Sequence, residues 1–425
     1  MSPRPWLRAR AARAADVAAV PVMLAVLAGV SASPVWSADA SPPDPDLATD
    51  GMRRVGAFFL KPAFVVKDVG YDDNILPEIP TPIGDQTATF GARLDALLHG
   101  GDHFALRMSG ELDQVLYEEY DALDHRNGFA RARALVPLKR GVISIEDFYR
   151  SYQDRSLSEI DERVRTESNQ ITATARLQRR ERHSLTLFSR REDLNYTVEV
   201  GDDASIPQRL NRRESAFGLR GEVRVRPRTT AILEAMVEDI VFDDPSEGRD
   251  SRARSILPGF RLDSHGALRG EVKIGVVDLR APGRPESDHR GSIGNGWLVW
   301  RLASALRLRT SYARDLQFST DATNLYYIST SWSVAVEQFL SRRLSAEMLY
   351  GRGLNHYPIP LATAGPLPVS QIRDDRMARY EIGFRYRTHG QGRLEVRAGR
   401  QVRDSTLDSL DRERNVYTVG TTYEF

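Results

Sequence analysis

The 425-residue sequence contains no cysteine, so it has neither a disulfide framework nor a cysteine-ligated metal site. Its 59 Lys and Arg and 58 Asp and Glu residues give a net charge of +1, which offers no basic surplus for nucleic acid. After the N-terminal region, no run of about 18 uninterrupted apolar residues occurs, which excludes a further membrane-spanning helix. The motifs G-x-S-x-G and H-E-x-x-H and the Gly-rich phosphate loop are absent as well, so we predict no catalytic, metal or cofactor site.

The N-terminus is typical of a secretory signal. An apolar run at residues 17–30 is followed by an A-x-A cleavage site at residues 38–40. The basic start before the run consists of Arg4, Arg8, Arg10 and Arg13. We predict a cleaved signal at residues 1–40, with residues 30–32 as a second cleavage site and an anchoring helix as the alternative. The proline-rich residues 41–56 are predicted to form a periplasmic linker.

From residue 57 onward, apolar and polar residues alternate in segments of about ten, which is the period of β-strands. The last segment shows this most clearly, with apolar or aromatic side chains at alternate positions up to Phe425. In the segments 216–226, 378–387 and 393–399 the polar face is full of Arg and Glu. Facing charges on neighbouring strands can pair across a closed lumen, whereas a soluble sandwich would present that face to open water.

Short turns and longer polar links alternate along the chain, as they do in outer-membrane barrels. The predicted fold class is all-β: a transmembrane antiparallel up-and-down β-barrel over residues 57–425, with about 18 strands, or 16 as the nearest alternative. An even count places both termini on the periplasmic side. Aromatic residues at segment ends are expected to form interfacial girdles. The candidates are Trp297, Trp300, Tyr312, Tyr326, Trp332, Tyr380 and Tyr423.

The C-terminal strand resembles the one that the barrel-assembly machinery recognises in outer-membrane proteins of diverse families. The predicted assembly signal consists of Tyr417, Val419, Tyr423 and Phe425. A terminal aromatic residue also arises by chance. Its combination with the alternating pattern and the N-terminal signal favours the assembly signal.

The opening of the predicted barrel resembles a known family. Residues 62–66 read Pro-Ala-Phe-Val-Val, and residues 71–75 read Tyr-Asp-Asp-Asn-Ile. This arrangement is similar to the usual opening of the type 2 family of β-barrel porins, which includes outer-membrane proteins associated with exopolysaccharide operons. The resemblance implies an outer-membrane location and a role in envelope or polysaccharide transport, and it supplies no catalytic residues.

The charged face of the strands is the candidate functional surface, because a barrel of about 18 strands can enclose an aqueous lumen. The predicted lumen-lining residues are Arg107, Glu111, Arg220, Glu222, Arg224, Lys273, Arg307, Arg309, Glu381, Arg385, Glu395 and Arg397. Their mixed signs argue against a strong ion preference. We expect a porin-like channel or a component of envelope or exopolysaccharide transport. A non-conducting structural or assembly barrel is the alternative, and an outer-membrane hydrolase, with a Ser or Asp beside a His at the outer rim, is a less favoured third.

The expected partners are outer-membrane lipid and lipopolysaccharide, the barrel-assembly machinery, and polysaccharide or small solutes, without nucleic acid. The longest link, residues 355–376, holds four prolines among apolar residues, and we expect it to fold over or into the mouth. An exposed loop and a partner-binding loop are the alternatives. Asp-Asp pairs in the long links, at 72–73, 202–203, 243–244 and 374–375, are interpreted as solvated charge, with Ca²⁺ or Mg²⁺ binding as the alternative.

Overall fold

The computed structural model describes residues 49, 51–76, 82–101, 103–154, 159, 163–179, 182–198, 205–263, 267–362, 370–388 and 392–425. The predicted signal at residues 1–40 and residues 41–48 of the predicted linker lie outside the described residues. Residues 363–369 of the longest link and the pair Asp202 and Asp203 lie outside them as well.

Eighteen antiparallel strands form the wall of the molecule. In chain order, β1 to β18 are Phe58–Leu76, Ile83–His99, Ala105–Tyr117, His125–Leu138, Gly141–Asp154, Val164–Arg179, His183–Val198, Arg212–Arg226, Thr229–Phe242, Ser251–Asp263, Leu268–Arg280, His289–Ala303, Leu306–Phe318, Tyr326–Phe339, Leu344–His356, Asp374–Arg387, Gly392–Ser405 and Arg412–Glu424. Each strand pairs with its neighbours in sequence. β18 pairs with β1 from Ala63 opposite Glu424 to Asp72 opposite Val416, so the sheet closes on itself. The predicted barrel and its count of 18 strands are confirmed.

The two ends of the barrel differ in their connections. At the end where β1 begins, the links are two to five residues long, whereas at the other end they span six to seventeen. Both termini of the barrel lie at this short-turn end, where the Phe425 amide donates to the Pro62 carbonyl at 3.0 Å. The opposite, long-link end contains helix α1 (Ser205–Leu210) and the 3-10 turns Asp121–Leu123, Pro245–Glu247, Pro285–Ser287 and Asp408–Leu410.

The outer surface of the wall is apolar, which is the reverse of a soluble protein. On β8, Phe217 is 60% exposed, whereas Glu222, on the other face of the strand, is 6% exposed. Phe260 on β10 and Met348 on β15 extend the apolar outer belt. Such a belt matches the hydrocarbon of a bilayer, and the alternate positions therefore collect the charged side chains in the lumen. Among the described residues, no helix is both long and apolar enough to cross a membrane.

Aromatic side chains mark the edge of the apolar belt that faces the long-link end. Neighbouring strands place these rings in opposed pairs, which we call the aromatic line: Tyr312 with Trp332, Tyr350 with Tyr380, and Tyr71 with Tyr417. Two residues expected in a girdle lie elsewhere. Trp297 lies opposite Glu271 on the inner face, and Tyr326 is buried at 3% exposure.

The predicted linker ends in ordered structure. The short strand Arg53–Val55 folds back on the first residues of β1, with Arg53 opposite Leu60 and Val55 opposite Phe58. The chain therefore enters the barrel through a tight turn at the short-turn end rather than as an extended linker up to residue 56.

The β13–β14 hairpin leaves the wall near the long-link end. β12 pairs with β13 only as far as Gly294 opposite Arg314. β13 and β14, in contrast, stay paired up to Phe318 opposite Tyr326. β14 stays paired with β15 up to Ile328 opposite His356, so the freed part, residues 315–327, is here called the infolded hairpin.

The infolded hairpin packs against the inside of the barrel. Its Leu316 contacts a cluster of Leu257, Val277 and Ile293, which are buried on β10, β11 and β12. These three residues belong to the inner face, because the adjacent Ile256 is 46% exposed on the outer face. The hairpin therefore occupies part of the lumen.

Candidate functional site

Ion-pair networks cover the inner face of the wall. The predicted residues Arg220, Glu222 and Lys273 fall in one network on β8 to β11. Arg220 donates to Glu222 at 2.9 Å and to Glu271 at 2.7 Å. Lys273 pairs with Glu234 at 3.1 Å. Arg261 of β10 donates to Glu222 at 2.8 Å, so the network joins four neighbouring strands on the lumen side. Glu234 and Glu271 were missed in the sequence, although they alternate with exposed apolar residues.

A second network joins β13, β14, β16 and β17. Arg307 donates to Glu337 at 3.0 Å, and Arg385 bridges Glu337 at 3.3 Å and Glu395 at 3.0 Å. Arg397 donates to Glu395 at 2.8 Å. Each of the two carboxylates thus has two arginine partners. Four of these five residues were among the predicted set, and Glu337 was not.

The remaining predicted residues of this half also lie on the inner face or at its edge. Arg309 pairs with Glu347 and Glu381 with Arg379, each at 2.6 Å. Arg224 is exposed next to the turn that joins β8 to β9 at the short-turn end. The structure therefore distributes the predicted set over several separate clusters rather than one focused site.

A bulge in β1 adds a lysine that the sequence pattern did not reveal. The pairing of β1 shifts between Val66 and Val69, and Asp68 has a φ of 54°, in the left-handed region. The bulge lets Lys67 and Asp68 both line the lumen. Lys67 forms ion pairs with the predicted Glu111 and, at 2.6 Å, with Asp113. Strict alternation cannot predict two successive inward side chains.

The predicted Arg107 lies on the inner face of β3. It stands opposite Leu97 of β2 and Arg133 of β4. Leu97 is fully buried and packs with Leu135 near the short-turn end. Arg107 therefore lies in the part of the lumen near the short-turn end, whereas Lys67 and its partner Glu111 lie closer to the long-link end.

Glu159, in the link between β5 and β6, reaches the infolded hairpin. Its carboxylate accepts hydrogen bonds from the Ser319 hydroxyl and, at 2.6 Å, from the Thr320 amide. β5 and β13 are eight places apart in the ring of 18 strands, which is almost opposite. The link thus brings Glu159 across the mouth, where burial raises the pKa of its carboxyl despite these hydrogen bonds.

Arg249, in the link between β9 and β10, anchors the tip of the infolded hairpin. The side chain is fully buried and donates to the carbonyls of Ser319 at 2.5 Å and Leu325 at 3.1 Å. Desolvation, and then the neighbouring Arg284, lowers the pKa of the Arg249 guanidinium to about 10. The guanidinium remains charged at neutral pH, so it holds the hairpin by charge-assisted hydrogen bonds.

The described part of the longest link also packs on the infolded hairpin. Asn324 and Ile359 exchange two hydrogen bonds of 2.9 Å, from the Asn324 amide to the Ile359 carbonyl and from the Ile359 amide to the Asn324 side chain. Tyr357 is fully buried beneath the Arg373 guanidinium, 4.4 Å from its ring centroid. Burial holds the pKa of Tyr357 well above its ordinary value. Whether this link narrows the pore stays a prediction.

Two of the aspartate pairs are not solvated charge. Asp375 is fully buried and accepts from Arg373 at 2.6 Å, and Asp72 is 4% exposed and accepts from Arg414 at 2.6 Å. The solvated interpretation is therefore wrong for both. Asp72 on the first strand accepts hydrogen bonds from Arg414 on the last strand, so it helps to join the two ends of the sheet.

An open cavity of about 470 Å³ remains beside these elements. It runs along the inner face of β16, β17, β18 and the first strands of the barrel. Its charged lining comprises Lys67, Asp68, Asp72, Asp113, Arg163, Arg379, Glu381, Arg393, Glu395, Arg397 and Arg414. The infolded hairpin packs against β10–β12, and the cavity lies along the other side of the lumen.

An outer-membrane hydrolase was expected to place a Ser or Asp beside a His at the outer rim, and one Asp–His pair lies there. His356 and Asp374 form a contact of 2.7 Å at the ends of β15 and β16. In the part of the chain that the structure describes, the His356 ring has no hydrogen bond to a serine or threonine hydroxyl. The described residues also contain no group of three or more His, Cys, Asp or Glu side chains that could hold a metal ion.

The predicted assembly residues lie on the outer face of β18 and just after it. Tyr417, Val419, Tyr423 and Phe425 are between 43% and 55% exposed. The rings of Tyr423 and Phe425 contact each other edge to face, with centroids 4.9 Å apart. This places an aromatic pair at the seam between the last strand and the first.

Comparisons with known proteins agree with this architecture. The model of a family described as "Putative beta-barrel porin 2" matches residues 44–425. No curated protein matches the sequence.

Among solved structures, OpdK of Pseudomonas aeruginosa, crystallised with vanillate, is similar at 12% identity and a TM-score of 0.50. The match covers 86% of this chain and 98% of that one. OccK1 (OpdK) of the same organism gives a TM-score of 0.50 at 11% identity, with the same coverage of 86% and 98%. At such identities the likeness concerns the fold alone.

Proposed function

We propose, from the premise that this chain belongs to the putative beta-barrel porin 2 family, that its lumen conducts small hydrophilic solutes. The chain is a porin-like outer-membrane β-barrel. The observation that carries the proposal is the charged cavity of about 470 Å³ that lies beside the infolded hairpin. A polar path through a closed barrel is the physical requirement for passive diffusion.

The charges of the barrel's inner face favour small polar solutes without a strong charge preference. Within the described residues, the lumen carboxylates Glu222, Glu337 and Glu395 each have two or more arginine partners. Paired charges present little net field to a passing ion, although they still hydrogen-bond to hydroxyl and amide groups. The predicted lumen-lining residues would in this way form the walls of a weakly selective channel.

Single-channel recording in planar bilayers tests the proposal. Gly399 lies on the inner face and lines the cavity, and a Cβ added there meets only the Tyr380 carbonyl, at 3.7 Å. Gly399→Trp should therefore fold and reduce the conductance. The matched control is Ala398→Trp, which places the same indole on the lipid side. Equal conductance of both variants would contradict a path along β17.

The second candidate is a non-conducting scaffold barrel. It is favoured by the contacts of Glu159, Asn324 and Arg373, which tie three long links together across the mouth. A mouth closed by such contacts would pass no current. Absence of conductance in the wild-type protein and in a variant that lacks the infolded hairpin would favour this function over the channel.

We further propose that residues 1–40 are removed on export and that the barrel-assembly machinery recognises the strand that ends at Phe425. A role in exopolysaccharide transport rests on the resemblance of residues 62–75 alone. Loss of secreted polysaccharide on deletion of the gene, restored by the wild type but not by Gly399→Trp, would support it. We propose no catalytic activity for the chain.

A further inference from the structure

The outer face of β13 to β17 carries arginines immediately beyond the aromatic line, on the side of the long-link end. Arg314 follows Tyr312 by two residues on β13, and Arg352 follows Tyr350 by two residues on β15. Arg376 lies four residues beyond Tyr380 on β16. We call these three residues the arginine row. All three share the outward face with the aromatic residues, because side chains two or four positions apart in a strand point the same way.

The depth of the arginine row follows from the aromatic line. The rings of Trp332 and Tyr350 lie 5.4 Å apart and those of Tyr350 and Tyr380 5.1 Å apart, so the line is continuous over three strands. Tyrosine and tryptophan settle at the headgroup level of a bilayer. Two residues further along a strand is a rise of about 7 Å for Arg314 and Arg352, and four residues is a rise of about 13 Å for Arg376. The arginine row therefore lies among lipid headgroups and not in the hydrocarbon.

Among the residues that the structure describes, the arginine row has no carboxylate partner. Arg314 there donates to neutral oxygens, the Ser292 carbonyl and hydroxyl at 3.1 and 3.2 Å and the Thr330 hydroxyl at 2.6 Å. Arg352 and Arg376 are exposed, and in the described part of the chain neither forms an ion pair or a hydrogen bond. Asp404 stands opposite Arg376 on β17 but does not pair with it within the described residues.

Three other arginines of the outer face, on the halves of β7, β8 and β10 nearer the long-link end, are compensated. Arg191 and Arg213 both pair with Asp193, at 3.2 and 2.6 Å, and Arg252 pairs with Asp239 at 2.6 Å. The arginine row thus contrasts with these paired arginines of the same outer face. Exposed guanidinium groups at headgroup level attract phosphate groups and bind them by charge-assisted, bidentate hydrogen bonds.

We propose that the arginine row binds the phosphates of a phosphorylated glycolipid in the outer leaflet of the outer membrane. The leaflet follows from the topology, because both termini of the barrel lie at the short-turn end, and in such barrels the short turns are periplasmic. The acyl chains of the lipid would lie on the apolar belt below the aromatic line. This binding does not depend on conduction through the lumen.

The test measures lipid binding by the full mature chain, folded in detergent. The probes are lipid A with both phosphates, dephosphorylated lipid A and phosphatidylglycerol, and the readouts are dissociation constants and the lipid retained in native mass spectrometry. Wild type should prefer the phosphorylated lipid A to both other lipids. At about fivefold per arginine, the triple variant Arg314→Gln, Arg352→Gln, Arg376→Gln should lose affinity for it by about 100-fold.

The matched control is the triple variant Arg191→Gln, Arg213→Gln, Arg252→Gln, which removes the same charge from paired positions of the outer face. It should retain nearly wild-type affinity. Because Arg314 makes hydrogen bonds to the wall, the double variant Arg352→Gln, Arg376→Gln tests the same idea with exposed residues only, and a loss of about 25-fold is expected. Equal losses in test and control variants, or equal binding of phosphatidylglycerol, would overturn the proposal.

Discussion

Phe384 on β16 offers a direct test of which face of the wall meets lipid. Its side chain is 46% exposed on the outer face. It lies four residues from Tyr380 of the aromatic line, toward the short-turn end. Phe384→Arg would place a guanidinium in the hydrocarbon. Near the bilayer midplane this should lower the free energy of unfolding by about 2–4 kcal/mol.

The adjacent change, Arg385→Ser, removes a lumen residue with two ion pairs. Breaking a buried pair usually costs about 3–5 kcal/mol, because one charge is left unpaired. Here Glu337 keeps Arg307 at 3.0 Å, and Glu395 keeps Arg397 at 2.8 Å. Neither carboxylate is left alone, so the loss should be about 1 kcal/mol, as for a partly exposed pair.

The assay is equilibrium unfolding in urea with the protein folded into lipid vesicles. Phe384→Leu serves as the apolar control for the first variant and Arg385→Lys as the charged control for the second. Phe384→Arg should lower the midpoint much more than Arg385→Ser does. Equal losses, or a larger loss for Arg385→Ser, would refute the assignment of the two faces.

Three further outcomes are expected. Phe425→Asp should reduce the yield of heat-modifiable barrel in the outer membrane without reducing export to the periplasm, because Phe425 closes the seam at Pro62; a normal yield would count against its role. Replacing residues 316–328 by an Asn-Gly turn should roughly double single-channel conductance at unchanged barrel yield, because the two-stranded ribbon fills part of the lumen; unchanged conductance would place it outside the path. Burial raises the pKa of the Glu159 carboxyl from the usual 4.5. The contact of Glu159 with the infolded hairpin is therefore favoured below pH 4.5 and loses stability as the pH rises through the raised pKa. Conductance should therefore be lower in acid than at neutral pH, while Arg249 and Arg373 stay charged and Tyr357 stays neutral. Glu159→Gln should abolish this pH dependence. An unaltered pH profile in the variant would exclude Glu159 as its cause.

The strands could be predicted from the sequence because a barrel wall imposes one rule on every residue. Lipid selects apolar side chains at one parity and the lumen admits charges at the other, so Phe217 and Glu222 on β8 reveal their faces without knowledge of their neighbours. Link lengths then indicate which ends are short turns. The strand count follows from these two local properties.

Elements that break the rule could not be predicted from the pattern. The bulge at Lys67 and Asp68 adds one residue to β1, and nothing in the adjacent residues signals it. The buried pair of Arg373 and Asp375 depends on how a long link folds back, which is a tertiary property. Asp375 looked like loop charge because its partner, two residues earlier, is itself in the link.

The infolded hairpin has a physical reason that the sequence does contain. Leu316, Phe318 and Ile328 share the parity of the lipid-facing residues but lie beyond the aromatic line, where an upright hairpin would expose them to water. On the inner face of β10 and β11, Leu257 and Val277 are apolar at lumen positions, where charges are expected. Each set is misplaced in a simple barrel, and bending the hairpin inward buries both against each other. Apolar residues at lumen parity, paired with apolar residues beyond the belt, are therefore the signal by which an inward-folding hairpin can be recognised in a barrel sequence.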